Sequence, residues 1–127
     1  MILEYCQKAI ESAEYKKALV RMTKATGEDG IDKVMNNNKL DAIMAPTGSP
    51  AWKTDLLLGD HFVGGSSSLA AISGYPAITV PMGFVDDLPV GVTFFGRAWS
   101  EPLLLEIAYS YEQGTKHRKA PKYIVSD

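Results

Sequence analysis

Residues 64–83 constrain the fold of this chain more than any other stretch. Gly64-Gly65-Ser66-Ser67-Ser68 is a turn, Leu69-Ala70-Ala71-Ile72-Ser73 is small and apolar, and Gly74-Tyr75-Pro76 interrupts it before the β-branched run Ala77-Ile78-Thr79-Val80. Ser66 or Ser67 can cap a short helix running through Ser73, Gly74 suits the left-handed position after it, and Pro76 forbids its continuation. Helical patterns precede this stretch, and a hairpin and a helix follow it. The same Gly-Gly-Ser-Ser-Ser run also invites reading as a nucleophile loop, so its role decides the function.

Upstream, Tyr15, Leu19 and Met22 recur at i, i+4, i+7 with Lys16, Lys17, Arg21 and Lys24 around them, which predicts an amphipathic helix over 8–25. Thr26-Gly27-Glu28-Asp29 is expected to end it, with Thr26 and Asp29 as a capping box for a second helix. Ile31, Val34 and Met35 form that helix's apolar face, and Asn36-Asn37-Asn38 stops it. Residues 40–44 predict a short buried strand, and a long irregular connection follows through Thr47, Trp52, Asp60 and His61.

Downstream, 77–81 and 90–95 predict a β-hairpin turning at Asp86-Asp87. Ser100 is expected to cap a last helix that has Pro102 in its first turn, buries Leu104, Ile107, Ala108 and Tyr111, and ends at Gly114. The order ααβ, long loop, αββα predicts a single domain over 1–127 of α/β class, with α+β as the alternative. Its small mixed sheet carries a β-hairpin packed by helices. Three short strands make a thin sheet that suits extension by strands from elsewhere.

Composition narrows the function classes. A net charge of −2, from 13 basic and 15 acidic residues, gives no footprint for nucleic acid. No apolar run is long enough to span a bilayer, and Met1-Ile2-Leu3-Glu4-Tyr5 does not read as a signal peptide. The single Cys6 excludes an internal disulfide. The expectation is a cytoplasmic protein that binds neither nucleic acid nor membrane.

The residues do not assemble a catalytic set on their own. A serine nucleophile needs a base within hydrogen-bond reach and donors for the oxyanion. The Gly-x-Ser-x-Gly elbow is absent, so the serines read as helix caps. Asp60-His61 offers an acid–base pair or half a metal site, but His61 and His117 do not make a metal-ligand spacing. Trp52 either lines a cleft or anchors its loop. Lys116-His117-Arg118-Lys119 reads as a solvated helix end.

Gly74-Tyr75-Pro76-Ala77-Ile78-Thr79-Val80-Pro81-Met82-Gly83 resembles the C-terminal Gly-x-Pro-x-Ile-x-Val-Pro-x-Gly stretch of amidase-signature hydrolases. Leu88-Pro89-Val90-Gly91-Val92 and Phe95-Gly96-Arg97-Ala98-Trp99-Ser100-Glu101 continue that likeness in order, and Leu40-Asp41-Ala42-Ile43-Met44-Ala45-Pro46-Thr47 precedes it. The likeness covers about 19–121 and leans toward the stand-alone amidases.

The resemblance implies amide hydrolysis by a serine–serine–lysine triad without metal or organic cofactor. That triad lies in the family's central signature region. The family's nucleophile loop has glycines where this chain has Ser68 and Leu69, so no catalytic residue carries over. Thr47, Trp52, Asp60, His61, Gly65, Ser66 and Ser67 are expected to border a substrate cleft.

Three functions follow as expectations. The first is a C-terminal amidase segment, from a truncation or split gene, that meets its small-molecule amide only within a full enzyme. The second is a non-catalytic binding or assembly module that pairs with a partner or with itself, a missing N-terminal portion being one possible partner of the segment. The third is an independent hydrolase using His61 with Ser66, Ser67 or Ser68.

Overall fold

The structure, a computed structural model, describes residues 10–121. Cys6 and the first five residues lie outside this span. Helix α1 (Ala13–Thr26) is capped by the Ser12 hydroxyl, which accepts from the Tyr15 amide at 3.2 Å. The amphipathic pattern forms as expected, yet α1 buries no residue: Tyr15, Leu19 and Met22 are 44%, 48% and 49% exposed. Its apolar face is about half exposed, although the helix lies against the 67–73 segment.

The break expected at Thr26-Gly27-Glu28-Asp29 does not occur. The helix widens into a π-helical segment (Gly27–Asp32) and continues as α2 (Lys33–Asn38). The Thr26 hydroxyl donates back to the Met22 carbonyl at 2.9 Å, so no capping box forms. Lys24 spans the junction to Glu28 at 3.0 Å and Asp29 at 3.2 Å. Gly27 makes the widened turn possible, because a β-carbon there would meet the Tyr75 hydroxyl at 3.0 Å. Asn36, Asn37 and Asn38 stay helical, and Lys39 takes the left-handed position (φ 53°) instead.

Strand β1 (Ile43–Pro46) starts three residues later than expected, because its register is set by pairing Ile43 with Phe95 and Pro46 with Val92. Helix α3 (Ser67–Ser73) ends on Gly74 at φ 74°, as its sequence requires. Strands β2 (Ala77–Val85) and β3 (Leu88–Phe95) form the hairpin, longer than the pattern suggested. Asp86 and Asp87 both take positive φ, 49° and 65°, the signature of a type I′ turn. A register shift between Pro81 and Gly83 absorbs one residue as a bulge.

The sheet order is β1-β3-β2, and both pairings are antiparallel, so within this chain the sheet is not mixed. Helix α4 (Glu101–Thr115) passes through Gly114 and ends one residue later, on Lys116 at φ 54°. The Ser100 hydroxyl donates to the Arg97 carbonyl at 2.7 Å rather than capping α4; its backbone carbonyl accepts from Leu104 at 3.0 Å.

Side chains on a strand alternate between faces, and β3 uses both. Phe94 joins Val80, Val92, Leu104 and Ala108 under α4, with Ile107 and Tyr111 at the margin. Its neighbour Phe95 packs on Ile31, Met35 and Ala70 from the helices of the opposite layer. The result is a partial α/β fold, with helices on both faces of a small central hairpin sheet.

Candidate functional site

Thr47 is the joint between sheet and loop. Its amide donates to the Gly91 carbonyl at 2.8 Å, and its carbonyl accepts from the Ser66 amide at 3.2 Å. Its hydroxyl meets that of Thr93 at 2.7 Å, and Thr93 meets Thr79 at 2.9 Å, a chain of three hydroxyls running across the sheet. Thr93 is buried, so this chain satisfies a group that would otherwise be costly. Glycine is needed on both sides of Thr47. A β-carbon on Gly91 would sit 2.8 Å from the Thr47 hydroxyl, and one on Gly65 would sit 2.8 Å from its carbonyl.

This joint brings two distant loop segments together. Gly48 bridges Gly65 in antiparallel fashion. Above the bridge opens a cleft of about 550 Å³ lined by Pro46, Gly48, Ser49, Val63, Gly64, Gly65 and Ser66. No charged side chain lines it. Ser49 Oγ and Ser66 Oγ are shielded from solvent and have no hydrogen-bond partner.

Gly65 and Ser66 thus line the cleft, and Thr47 supports it from the sheet. Ser67 opens α3 beside the cleft, without lining it. The reading of Ser66 or Ser67 as a side-chain cap is corrected: α3 has no side-chain cap bond, because Ser66 sits at φ −95°, ψ 1° rather than in the extended geometry a capping serine adopts. Trp52, Asp60 and His61 lie on the exposed loop beyond the cleft. Trp52 Nε1 donates to Asp60 Oδ1 at 3.4 Å, and its ring stands 6.1 Å from that of Phe62.

Among the described residues, no hydrogen bond joins His61 to Ser66, Ser67 or Ser68, and none joins Asp60 to His61; His61 is exposed on its loop. Among the described residues there is no group of three or more His, Cys, Asp or Glu placed to hold a metal. Ser49 was not singled out from the sequence. Its only local signal is Gly48-Ser49-Pro50, which reads as loop, and its role depends on a partner segment across the bridge.

A second polar cluster holds the layers together. The Tyr75 hydroxyl donates to Asp32 Oδ2 at 2.7 Å, and Arg97 Nη1 lies 3.8 Å from Asp32 Oδ1. The Asp32 bond, with a smaller share from burial, raises the Tyr75 pKa above the ordinary phenol value. On the exposed loop, Asp55 accepts from the Leu58 and Leu57 amides at 2.9 and 2.8 Å, and these bonds hold its carboxyl below the usual range. The basic end of the chain engages its surroundings: Arg118 Nη2 pairs with Glu112 at 2.6 Å, and Lys119 lies over the Phe84 ring at 4.5 Å. No helix among the described residues is long and apolar enough to cross a membrane.

Comparison with known proteins places this arrangement. Residues 3–105 match the family model described as Amidase. A probable amidase of Arabidopsis thaliana is 39% identical over 112 residues, 87% of this chain and 19% of that protein. A glutamyl-tRNA(Gln) amidotransferase subunit of Clostridium botulinum is 37% identical over 113 residues, 82% of this chain and 22% of that protein. Among solved structures, a peptide amidase in complex with the competitive inhibitor chymostatin superposes with a TM-score of 0.83 at 46% identity, covering 88% of this chain and 23% of that one. The native peptide amidase of Stenotrophomonas maltophilia gives 0.80 at 44% identity, covering 90% and 23%. The chain therefore spans about a fifth of the length of the relatives it matches. With a family model covering most of its length, and a fold shared with peptide amidases, this chain belongs to the amidase family.

Proposed function

We propose that these 127 residues form the C-terminal segment of an amidase of the stand-alone branch, a hydrolase of carbon–nitrogen bonds in carboxamides. In this reading the segment completes the central sheet and walls the substrate cleft, and the Ser-Ser-Lys catalytic set is carried by residues outside it. The observation that carries it is the uncharged cleft of Pro46, Gly48, Ser49, Val63, Gly64, Gly65 and Ser66, built on the Thr47 joint but without a base for any of its serines. The branch assignment draws support from identity to peptide amidase structures of 46%, against 25% for an amidotransferase subunit of Thermotoga maritima. Purified chain assayed on a panel of simple amides is expected to give no turnover. Serine-dependent hydrolysis, abolished by Ser67→Ala, overturns the proposal.

The half-exposed apolar face of α1 and the open edge of β1, where Met44 is 63% exposed, favour a second element of this reading. They are surfaces for the remainder of an amidase fold, or for a second copy in its absence. A concentration-dependent native mass is expected for the isolated chain; a strictly monomeric species at every concentration argues against it.

A further inference from the structure

We propose that the π-helical segment Gly27–Asp32 is a register switch for α1, held in its widened form by a latch between Tyr75 and Asp32. The Tyr75 side chain touches both ends of the segment. Its hydroxyl lies 3.0 Å from where a β-carbon on Gly27 would sit, and it donates to Asp32 Oδ2 at 2.7 Å. π-helical turns are rare inside α-helices and concentrate at functional sites, so the contacts that hold this one matter. Tyr75 is itself fixed to the end of α3, since its amide donates to the Ala70 carbonyl at 3.1 Å and to Ser73 Oγ at 3.2 Å. Arg97, just past β3, donates to the Asp32 carbonyl at 3.5 Å and lies 3.8 Å from Asp32 Oδ1. That Oδ1 is shielded from solvent and has no hydrogen-bond partner, which leaves the latch incomplete on one side.

The segment is built for two windings. Helix runs unbroken on both sides of it, from α1 into α2. A β-carbon on Gly30 would meet the Ala25 carbonyl, five residues back, at 2.9 Å, so the widened turn needs glycine there too. Lys24 pairs with Glu28, four residues on, at 3.0 Å and with Asp29, five residues on, at 3.2 Å. The first spacing belongs to an α-turn and the second to a π-turn, so Lys24 keeps an acidic partner in either winding. Ile31 and Met35 anchor the far side of the segment in the core, whereas no residue of α1 is buried. The side free to turn is α1.

Rewinding the π-turn as regular α-helix advances α1 by one residue, which turns it by about 100° and shifts it by about 1.5 Å along its axis. Helix α1 lies against α3, and α3 begins at Ser67, beside the cleft residue Ser66. Latched, α1 leaves Tyr15, Leu19 and Met22 about half exposed. Released, it carries that apolar stripe to a different side of the helix axis. The latch thus sets which face of α1 rests on α3 and which face the molecule offers outward.

The test compares the full chain by NMR with Tyr75→Phe, which removes only the hydroxyl, with Asp32→Ala, and with the double variant. In Tyr75→Phe the amides of residues 27–32 are expected to exchange faster by about tenfold or more, while the β3 amides stay protected. The NOEs that join α1 to α3 are expected to move one position along α1. The double variant should add little to either single one, because both break the same bond. Gly27→Ala keeps both latch groups but displaces the Tyr75 ring, and it is expected to move the same NOEs. The inference is overturned if these NOEs stay in place in all three single variants, if β3 exchange quickens as much as that of 27–32, or if the effects of Tyr75→Phe and Asp32→Ala simply add. No readout here involves amide turnover, so the segment role stands or falls separately.

Discussion

The β3–α4 half of the molecule and the 51–63 loop are both rich in large apolar residues, and they use them in opposite ways. Val92 and Leu104 are each 2% exposed, whereas Leu56, Leu57 and Leu58 are 94%, 95% and 80% exposed. Composition does not separate the two regions; closure does. The hairpin and α4 supply each other's missing surface, while the loop leucines sit on a short turn pinned by Asp55 with nothing beyond them. One region is a finished core. The other stays open to solvent, as do the half-exposed apolar residues of α1.

That contrast can be broken first at Leu104. Truncation to alanine should cost about 2–5 kcal/mol, read as a lower urea midpoint with unchanged slope. A cost below about 1 kcal/mol would mean that this core is not closed. The next largest effect is expected at the Thr47 joint. Gly91→Ala places a methyl 2.8 Å from the Thr47 hydroxyl and 2.9 Å from Thr79 Cγ2. It should destabilise by about 1–3 kcal/mol and shift the amide signals of residues 47 and 66, which connects the finished core to the cleft.

The loop should respond weakly and locally. Because its amide bonds depress the Asp55 pKa, any stability it contributes is present above the unfolded-state value and is lost as pH falls through the lowered folded value. Acid titration below about pH 4 should therefore release the Leu57 and Leu58 amides to faster hydrogen exchange while the β3 amides stay protected. Simultaneous loss in both regions would join what the comparison separates. The smallest effect is expected for Leu57→Ser, within about ±0.5 kcal/mol by urea unfolding. If the loop is a docking surface, the same substitution should still reduce any concentration-dependent rise in native mass.

Local chemistry made much of the fold legible. Gly74 before Pro76, the paired aspartates at 86 and 87, and the 3.6-residue spacing of Leu104, Ala108 and Tyr111 each act through φ limits or periodicity within a few residues. Helix endings were harder to read. Gly27 looked like a stop because glycine is a poor helix former, but the Tyr75 ring packing against it rewards a widened helical turn there. Gly114 likewise stays within α4, and Lys116 takes the left-handed position after it.

The site divides in the same way. Gly65 and Ser66 stand out in the sequence as part of a glycine–serine turn, and the chain lines its cleft with both. Ser49 carried no such mark, because its significance arises from a bridge to a distant segment, between Gly48 and Gly65. The sequence alone determined the family likeness, the hairpin and the helical layers, since motif order and periodicity are properties of neighbours along the chain. Tertiary structure decided which apolar faces close, and that Ser49 and Ser66, but not His61, line one cleft. The shared cleft depends on backbone bonds from Thr47 to Gly91 and Ser66, formed between residues that only the fold brings together.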